Sequence, residues 1–288
     1  MINTCKSYCL TLILIIIFQD SIAQVETFKD PIGLESTPLV SGIHTLSIHV
    51  RDTISQDSVY QFFVNKLMLP IYYTPVVYGQ KRYAGIYAGN MVIEPCGPYK
   101  NIDYATDDFR AIFFGLNFEV YESLATSEQT LNVRRIKHQT NNGSIYITDS
   151  ILCNENIFTA LYEVSDKKER DSLQNLLITG ERNNPGIEYI KEIFIGYKDE
   201  VNFLKWKEYL NPLEFCEFDV CQINDSLKIN FTRGNINEVM GITFKVKSIV
   251  EAKQYLVQNK FQITAFDKKI ELNQTQSFGL SLYFTDEK

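Results

Sequence analysis

The sequence predicts an α+β protein in which one order of elements, a strand, a helix and then further strands, occurs four times. Segments in which apolar and polar residues alternate are typical of half-buried strands, and segments with apolar residues three and four positions apart are typical of helices. The four units begin near Ile43, Ile112, Ile187 and Ile242, in steps of 69, 75 and 55 residues. Repetition at this length indicates supersecondary units that bury their apolar faces together.

The first unit is the most informative. In HTLSIHVRD, three aliphatic residues alternate with polar residues, His49 among them, so the strand has one packed and one polar face. The segment SVYQFFVNKLMLP has helical spacing and ends before Pro70, because proline disfavours helix at the residue that precedes it. In YAGIYAGNMVIEP, Val92 and Glu94 share one side of a strand. Glu94 is therefore expected to point into the same space as His49.

The three later units show the same order of elements. The predicted segments are IFFGLNFEV, a helix at 121–133, SIYITDSI and FTALYEV in the second unit; IEYIKEIFIGY, NFLKWKEYL, FCEFDVC and LKINFT in the third; and GITFKVKS, IVEAKQYLVQNK, FQITAFDKKIEL and GLSLYF in the fourth.

The first unit resembles the βαβββ module of the vicinal oxygen chelate superfamily, which includes glyoxalase I, bleomycin-resistance proteins and extradiol dioxygenases. The matching segments are the strand HTLSIHVRD, the helix end FFVNKLMLP and the strand GNMVIE. The resemblance implies four βαβββ modules in two paired, open-barrel, glyoxalase-like domains. These would be residues 40–168 and 185–288, joined by a polar linker at 169–184. The competing prediction is an unrelated antiparallel α+β protein.

The resemblance also implies a metal site, with ligands on the first and last strands of paired modules. The candidate ligands are His44, His49, Glu94 and Glu163, and a divalent Zn, Mn, Fe or Ni ion would suit them. Counting back from the end of the first strand places the family's ligand histidine at Thr45. A β-bulge would be needed to bring His44 onto the polar face. As catalytic residues, Glu94 or Glu163 would transfer a proton.

The second half offers fewer ligands, since no histidine follows His138. Ring-cleaving chemistry of the extradiol type is therefore not expected there. We interpret this half as a structural partner or as a metal-free pocket. The residues expected to line such a pocket are Tyr189, Tyr197, Trp206 and Glu217.

Three functions remain open from the sequence. The first is a metal-dependent lyase or isomerase that acts on a small vicinal-oxygen substrate in the first domain. The second is a metal-free protein that binds a small molecule, as the bleomycin-resistance members do. The third is a structural or adhesion module. No Ser/His/Asp motif, phosphate-binding loop or CxxC motif supports a hydrolase, a kinase or a thiol-redox enzyme.

The chain begins with features of a secretory signal peptide. A short polar head with Lys6 precedes the apolar run 10–18, and small residues lead to a predicted cleavage site after Ala23. The protein is therefore expected to be exported, with no transmembrane segment after cleavage; an uncleaved membrane anchor is the alternative. The net charge of −7 argues against nucleic acid as a partner and leaves a small molecule as the expected ligand. The basic segment RRIK is expected to be a solvated helix end, and His138 a loop residue.

Four cysteines follow the predicted signal peptide. Export would permit one or two disulfides, and buried thiols are the alternative. Four N-x-S/T triplets would be glycan acceptors only in a eukaryotic secretory pathway. The cysteines are Cys96, Cys153, Cys216 and Cys221, and the triplets begin at Asn142, Asn224, Asn230 and Asn273.

Overall fold

The computed structural model describes residues 40–287 with internal gaps. The predicted signal peptide, the predicted helix at 121–133 and Cys153 lie outside the described residues. The gaps are residues 79–80, 99–112, 121–135, 141–142, 148–156, 165–166, 180–183, 211–214, 217–218 and 274–277.

The first half of the chain forms an eight-stranded mixed sheet. Its two central strands pair antiparallel, and each also pairs in parallel with the last strand of its own half of the sheet. The strands are β1 Val40–His49, β2 Ile71–Tyr78, β3 Lys81–Tyr87, β4 Val92–Pro98, β5 Phe113–Val120, β6 Ile136–Thr140, β7 Gly143–Ile147 and β8 Ile157–Val164, in the order β2-β3-β4-β1-β5-β8-β7-β6.

The second half forms a sheet with the same strand order. Here β9 and β13 are the central antiparallel pair, and each pairs in parallel with one later strand. The strands are β9 Ile187–Tyr197, β10 Phe215–Cys216, β11 Val220–Asn224, β12 Leu227–Arg233, β13 Glu238–Val246, β14 Ile263–Ala265, β15 Ile270–Leu272 and β16 Ser281–Thr285, in the order β10-β11-β12-β9-β13-β16-β15-β14. The predicted α+β class, with sheets dominating, is confirmed.

Four α-helices are described: α1 Thr53–Gln61, α2 Lys167–Thr179, α3 Glu200–Leu210 and α4 Ile249–Gln258. Side-chain caps fix two of the starts, because Asp52 accepts a hydrogen bond from the Ser55 amide and Ser248 accepts one from the Glu251 amide. After α1 the chain continues as a π-helical turn, Phe62–Lys66, which the sequence spacing did not predict. None of the described helices is long and apolar enough to cross a bilayer.

The apolar faces of both sheets belong to one continuous cluster of buried residues. Aromatic side chains connect the two halves directly. Trp206 on α3 lies 6.4 Å, ring centroid to ring centroid, from Phe118 on β5, and Phe62 lies 6.0 Å from Phe261. The aromatic segment that contains Phe62 and Phe63 therefore belongs to the core.

The segment between the two sheets, predicted as a polar linker, contains helix α2. The helix spans Lys167–Thr179 and so occupies most of the predicted linker. A further bridge joins the halves at Asn90, whose side-chain amide bonds both the backbone N–H and the backbone C=O of Ile190. The division into two domains remains a prediction.

The structure differs from the sequence interpretation at the basic segment near residue 135. We expected RRIK to end a helix and His138 to lie in a loop. Residues Ile136–Thr140 instead form strand β6, paired with β7. Long charged side chains can lie along a strand that has one solvated face, so the charge of RRIK alone did not decide between helix and strand.

Candidate functional site

The polar side of the first sheet brings together the residues that the sequence singled out. Strand β1 runs parallel to β4, and Ser47 is in register with Glu94, as His49 is with Cys96. Residues in register on neighbouring strands project to the same side of a sheet. The predicted sharing of one face by His49 and Glu94 is therefore observed. We call this surface the first polar face: Thr45, Ser47, His49, Glu94, Cys96 and Asn117.

Protein donors occupy both carboxylate oxygens of Glu94. The Tyr73 hydroxyl donates to Oε1. The Ser47 hydroxyl donates to Oε2 over 2.9 Å, and the Cys96 thiol donates to the same oxygen over 3.4 Å. Neutral hydroxyl and thiol donors thus hold the carboxylate in one orientation.

His49 lies deep in the same face, with only 6% of its surface exposed. Burial lowers the pKa of His49 well below its ordinary value, and the charge of Lys81 lowers this pKa further. A histidine in this setting is neutral at physiological pH. It can therefore accept or donate one hydrogen bond through its ring without adding charge to the face.

Cys96 is a buried thiol outside any disulfide. Burial raises the pKa of Cys96 well above its ordinary value, and the charge of Glu94 raises it further. The thiol is therefore protonated, which is consistent with its role as a hydrogen-bond donor to Glu94. For Cys96, the buried-thiol alternative holds.

His44 reaches the polar side through a β-bulge. The pairing of β1 with β5 joins Ile43 to Phe118 and Thr45 to Asn117, so His44 is the extra residue. An extra residue escapes the strict alternation of the strand. The His44 ring lies edge-on to Tyr72 with centroids 6.4 Å apart, and its Nδ1 is 2.6 Å from the Thr45 hydroxyl. The sequence analysis required a β-bulge to bring His44 onto the polar face, and this is that bulge.

Asn117 on β5 is a member of the first polar face that the sequence analysis did not select. It is 2% exposed, and its Oδ1 has no hydrogen-bond partner within the described part of the chain. An unsatisfied buried oxygen costs about 1–3 kcal/mol. Asn117 Oδ1 is therefore a buried acceptor on this face that the described residues leave open.

Helix α2 lies beside this face. Leu173 packs against the small apolar group formed by Tyr72, Tyr87 and Val92. One turn earlier, Arg170 forms an ion pair with Glu119 on β5. The segment predicted as a linker therefore borders the first polar face with both an apolar and a charged contact.

The second sheet has its own buried carboxylate, Glu192 on β9, which is 6% exposed. The Thr243 hydroxyl donates to its Oε2 over 2.7 Å, and the ammonium groups of Lys269 and Lys228 lie 3.0 and 2.9 Å from its two oxygens. Burial opposes ionisation, but these hydrogen bonds and the charge of Lys269 lower the pKa of Glu192 from 4.5 to about 2. Glu192 is therefore an ionised, internally paired carboxylate.

Aromatic rings flank the cations of this cluster. The Lys269 Nζ lies 5.6 Å from the centre of the Phe194 ring and 5.7 Å from that of Tyr283, and the two rings meet edge to face at 5.6 Å. We call this surface the second polar face: Glu192, Phe194, Lys228, Thr243, Lys269 and Tyr283.

The pocket predicted for the second half needs correction. Trp206 and Tyr197 are 2% and 7% exposed and belong to the core, where Tyr197 stacks on Phe203 with centroids 4.7 Å apart. The helical spacing of α3 places Trp206 on the side that faces the apolar cluster. Side chains alternate along β9, so Tyr197 lies on the same, core-facing side as Ile193 and Ile195. The side chain of Glu217 lies outside the described residues, and Tyr189 is half-buried.

Comparison with known proteins gave results at the level of the fold. No protein-family model matches the sequence, and no curated protein matches it. Among solved structures, a mutant of 4-hydroxymandelate synthase from Streptomyces coelicolor superimposes with a TM-score of 0.52 at 9% identity, over 85% of this chain and 92% of that chain. The 2,3-dioxygenase LapB from Pseudomonas sp. KL28 superimposes with a TM-score of 0.53 at 10% sequence identity, over 87% of this chain and 93% of that chain. An extradiol ring-cleaving dioxygenase from B. fuscum superimposes with a TM-score of 0.51 at 12% sequence identity, over 90% of this chain and 75% of that chain.

The protein has the vicinal oxygen chelate fold. The resemblance predicted from the strand and helix motifs is therefore confirmed at the level of the fold. Identities of 9 to 12% carry no activity from those enzymes to this chain.

The described donors alone do not complete the metal site that the vicinal oxygen chelate resemblance implied. Within the part of the chain that the structure describes, no group of three His, Cys, Asp or Glu side chains could hold an ion. Hydrogen bonds from protein groups already engage both oxygens of Glu94. Cys96 is protonated, and the cationic Lys81 lies near Glu94 and Cys96. These features favour a metal-free face.

Glu163, the fourth predicted ligand and a predicted base, lies in β8, and its backbone pairs with Ser144. Its side chain is not among those described. The metal-binding and catalytic roles predicted for Glu163 therefore remain predictions, as do those of His44, His49 and Glu94.

Sequence reasoning missed four charged or amide side chains of the two polar faces. A signal existed for two of them, because each is a polar residue in a mainly apolar strand segment: Asn117 in FFGLNFEV and Glu192 in KEIFIGY. Burying such a group without a partner is costly, so a polar residue in such a segment indicates a specific partner. The two lysines carried no comparable signal, since lysines are common on exposed strand faces. The missed residues are Asn117, Glu192, Lys228 and Lys269.

Proposed function

We propose that the protein binds a small organic molecule on the first polar face, without a resident metal. One observation carries this proposal: both oxygens of the Glu94 carboxylate accept hydrogen bonds from Tyr73, Ser47 and Cys96, whereas the buried Oδ1 of Asn117 on the same face has no partner among the described residues. Glu94 has a structural role on this face, because protein donors already hold its carboxylate. Asn117 offers an open acceptor, which a hydrogen-bond donor of a ligand would satisfy.

The surroundings of Asn117 indicate the kind of molecule. In the sheet, Asn117 is in register with Thr45, and Thr45 is in register with Val92. Val92 belongs to the small apolar group with Tyr72 and Tyr87. The ligand would therefore combine a hydroxyl or amine that donates to Asn117 with an apolar body that lies against the tyrosines.

The finer architecture is part of the same proposal. Three segments, 40–98, 187–233 and 238–285, show the full order of strand, helix and three strands, and 113–164 shows the strands in the same pairing pattern. We propose four βαβββ modules in two paired, open sheets. We also propose export through the signal peptide, on the sequence features of residues 1–23.

A metal-dependent lyase or isomerase is the second candidate. The bulge at His44 favours it, because the bulge releases this histidine toward the face that holds His49 and Glu94. In that case Glu94 would be both ligand and base, and its present hydrogen bonds would have to break.

Elemental analysis separates the two candidates. Residues 24–288, purified without a histidine tag, would be compared with the Glu94→Ala variant. We expect substoichiometric metal in both proteins. Near-stoichiometric metal in the wild type that is lost from the variant would overturn the metal-free proposal and support the lyase or isomerase.

Binding is tested with benzyl alcohol, which has one hydroxyl and an apolar body, by amide NMR titration in the presence of a chelator. We expect shifts at Asn117 and its neighbours, and affinity about tenfold lower in Asn117→Leu, since a buried acceptor is lost. Asn175→Leu on the exposed side of α2 is the matched control and should bind as the wild type does. Equal affinity in both variants would contradict the assignment of the site.

A further inference from the structure

The second polar face places two ammonium groups around a single buried carboxylate. Two ammonium groups, those of Lys228 and Lys269, pair with the single carboxylate of Glu192. Glu192 is ionised, so these three side chains sum to one net positive charge. A buried carboxylate needs only one cation to balance its charge, and the second cation is therefore available to an anion.

Both lysines retain hydrogen-bonding capacity. An ammonium group has three N–H donors, and in the described structure the only acceptor of each lysine is one oxygen of Glu192. Their side chains are 31% and 35% exposed, so a molecule from solvent can reach them. A small anion could thus accept a second hydrogen bond from each lysine without displacing Glu192.

The neighbouring rings add a shape requirement. Phe194 and Tyr283 are half-buried, and both rings flank the Lys269 ammonium group. Aromatic faces and edges favour contact with a flat, unsaturated or aromatic group. The cation and the rings are adjacent, so a single small molecule could contact both.

We propose that the second polar face binds a small planar organic carboxylate. Its carboxylate would accept hydrogen bonds from Lys228 and Lys269, and its planar portion would lie against Phe194 and Tyr283. A carboxylate suits two ammonium groups that each retain N–H donors, because charge-assisted hydrogen bonds are strong. A metal cation does not suit this face, because two ammonium groups would repel it. This site lies on the other sheet from the proposed function and goes beyond it.

A purely structural role is the competing explanation. Glu192 on β9 is in register with Lys228 on β12 and Thr243 on β13, so the cluster also ties three central strands together. Such a tie would stabilise the sheet but would bind no anion. Ligand binding is therefore the property that distinguishes the two explanations.

The probe is benzoate, followed by amide NMR titration of residues 24–288, with benzyl alcohol as the neutral analogue. We expect shifts centred on Glu192, Thr243 and Lys269 with benzoate but not with benzyl alcohol. Lys269→Met should weaken benzoate binding about tenfold or more. The control, Lys268→Met, changes a neighbour that is 67% exposed and pairs with Glu287, and should stay within about twofold.

A change of opposite sign is expected at Glu192. Glu192→Gln removes the competing carboxylate and should strengthen benzoate binding several-fold, and Lys228→Met supplies a second weakening variant if the glutamine variant fails to fold. No shift at these residues up to about 10 mM benzoate, or equal affinity in Lys269→Met and Lys268→Met, would overturn the proposal. Neither result would affect the benzyl alcohol site at Asn117.

Discussion

The two sheets hold their central carboxylates in different ways. Glu94 in the first sheet accepts hydrogen bonds from two hydroxyls and a thiol, whereas Glu192 in the second is paired with two ammonium groups and one hydroxyl. Both carboxylates lie on the polar side of a sheet with the same strand order. The comparison shows that the same sheet topology can hold a carboxylate either with neutral hydrogen-bond donors or with cationic ammonium groups.

The largest effect is expected from removing the cations of the second face. Lys228→Met combined with Lys269→Met leaves the buried Glu192 carboxylate with only Thr243, and should lower the free energy of unfolding by about 4 kcal/mol. Urea denaturation at neutral pH measures this loss. Adding Glu192→Met should restore most of it, because apolar residues then replace the whole buried group. A double variant as stable as the wild type would show that the charges do not matter to this sheet.

The second effect in size is a pH dependence that comes from Glu192. Burial raises the pKa of Glu192, but its hydrogen bonds and the charge of Lys269 lower it from 4.5 to about 2 in the folded protein. A lowered folded-state pKa gives stability that is present above the unfolded pKa and is lost as the pH falls. Relative to Glu192→Gln, the wild type should lose about 3 kcal/mol between about pH 5 and about pH 2.

Denaturation of both proteins across this pH range measures the difference. The matched control is Glu287→Gln, which removes an exposed carboxylate paired with Lys268 and should leave the pH profile nearly unchanged. Parallel profiles for the wild type and Glu192→Gln would contradict the lowered pKa.

A smaller effect is expected on the neutral face. Ser47→Ala removes a buried donor to Glu94 and should lower the free energy of unfolding by about 2 kcal/mol, as hydrogen bonds to charged groups do. Ser58→Ala is the control, because the Ser58 hydroxyl donates an exposed hydrogen bond to the Ile54 carbonyl of its own helix and should contribute less than about 0.5 kcal/mol. If both variants lose the same stability, the hydrogen bond from Ser47 contributes little.

The sequence predicted much of the local structure. Alternation located the strand that starts at Ile187 and the shared side of Val92 and Glu94, and both are observed. Helical spacing located α3 and α4. These features depend on neighbours within one segment, where the period of the side chains determines the face.

Long-range partners could not be predicted in the same way. Lys269 lies 77 residues after Glu192 in the chain, and the strand order β9-β13-β16-β15 is what brings the two side chains together. Asn117 becomes a free acceptor only because β5 lies beside β1. The place of α2 against Tyr72 and Val92 likewise depends on contacts between segments that are far apart in the sequence.

The sequence alone determined the α+β class, the order of elements and the polar residues of the first strand pair, because each follows from a repeat of two or 3.6 residues along the chain. Only the tertiary structure decided which donors meet each carboxylate and which buried acceptor stays open. The physical reason is that hydrogen bonds and ion pairs depend on distances of about 3 Å, and strand register fixes these distances between residues far apart in the sequence.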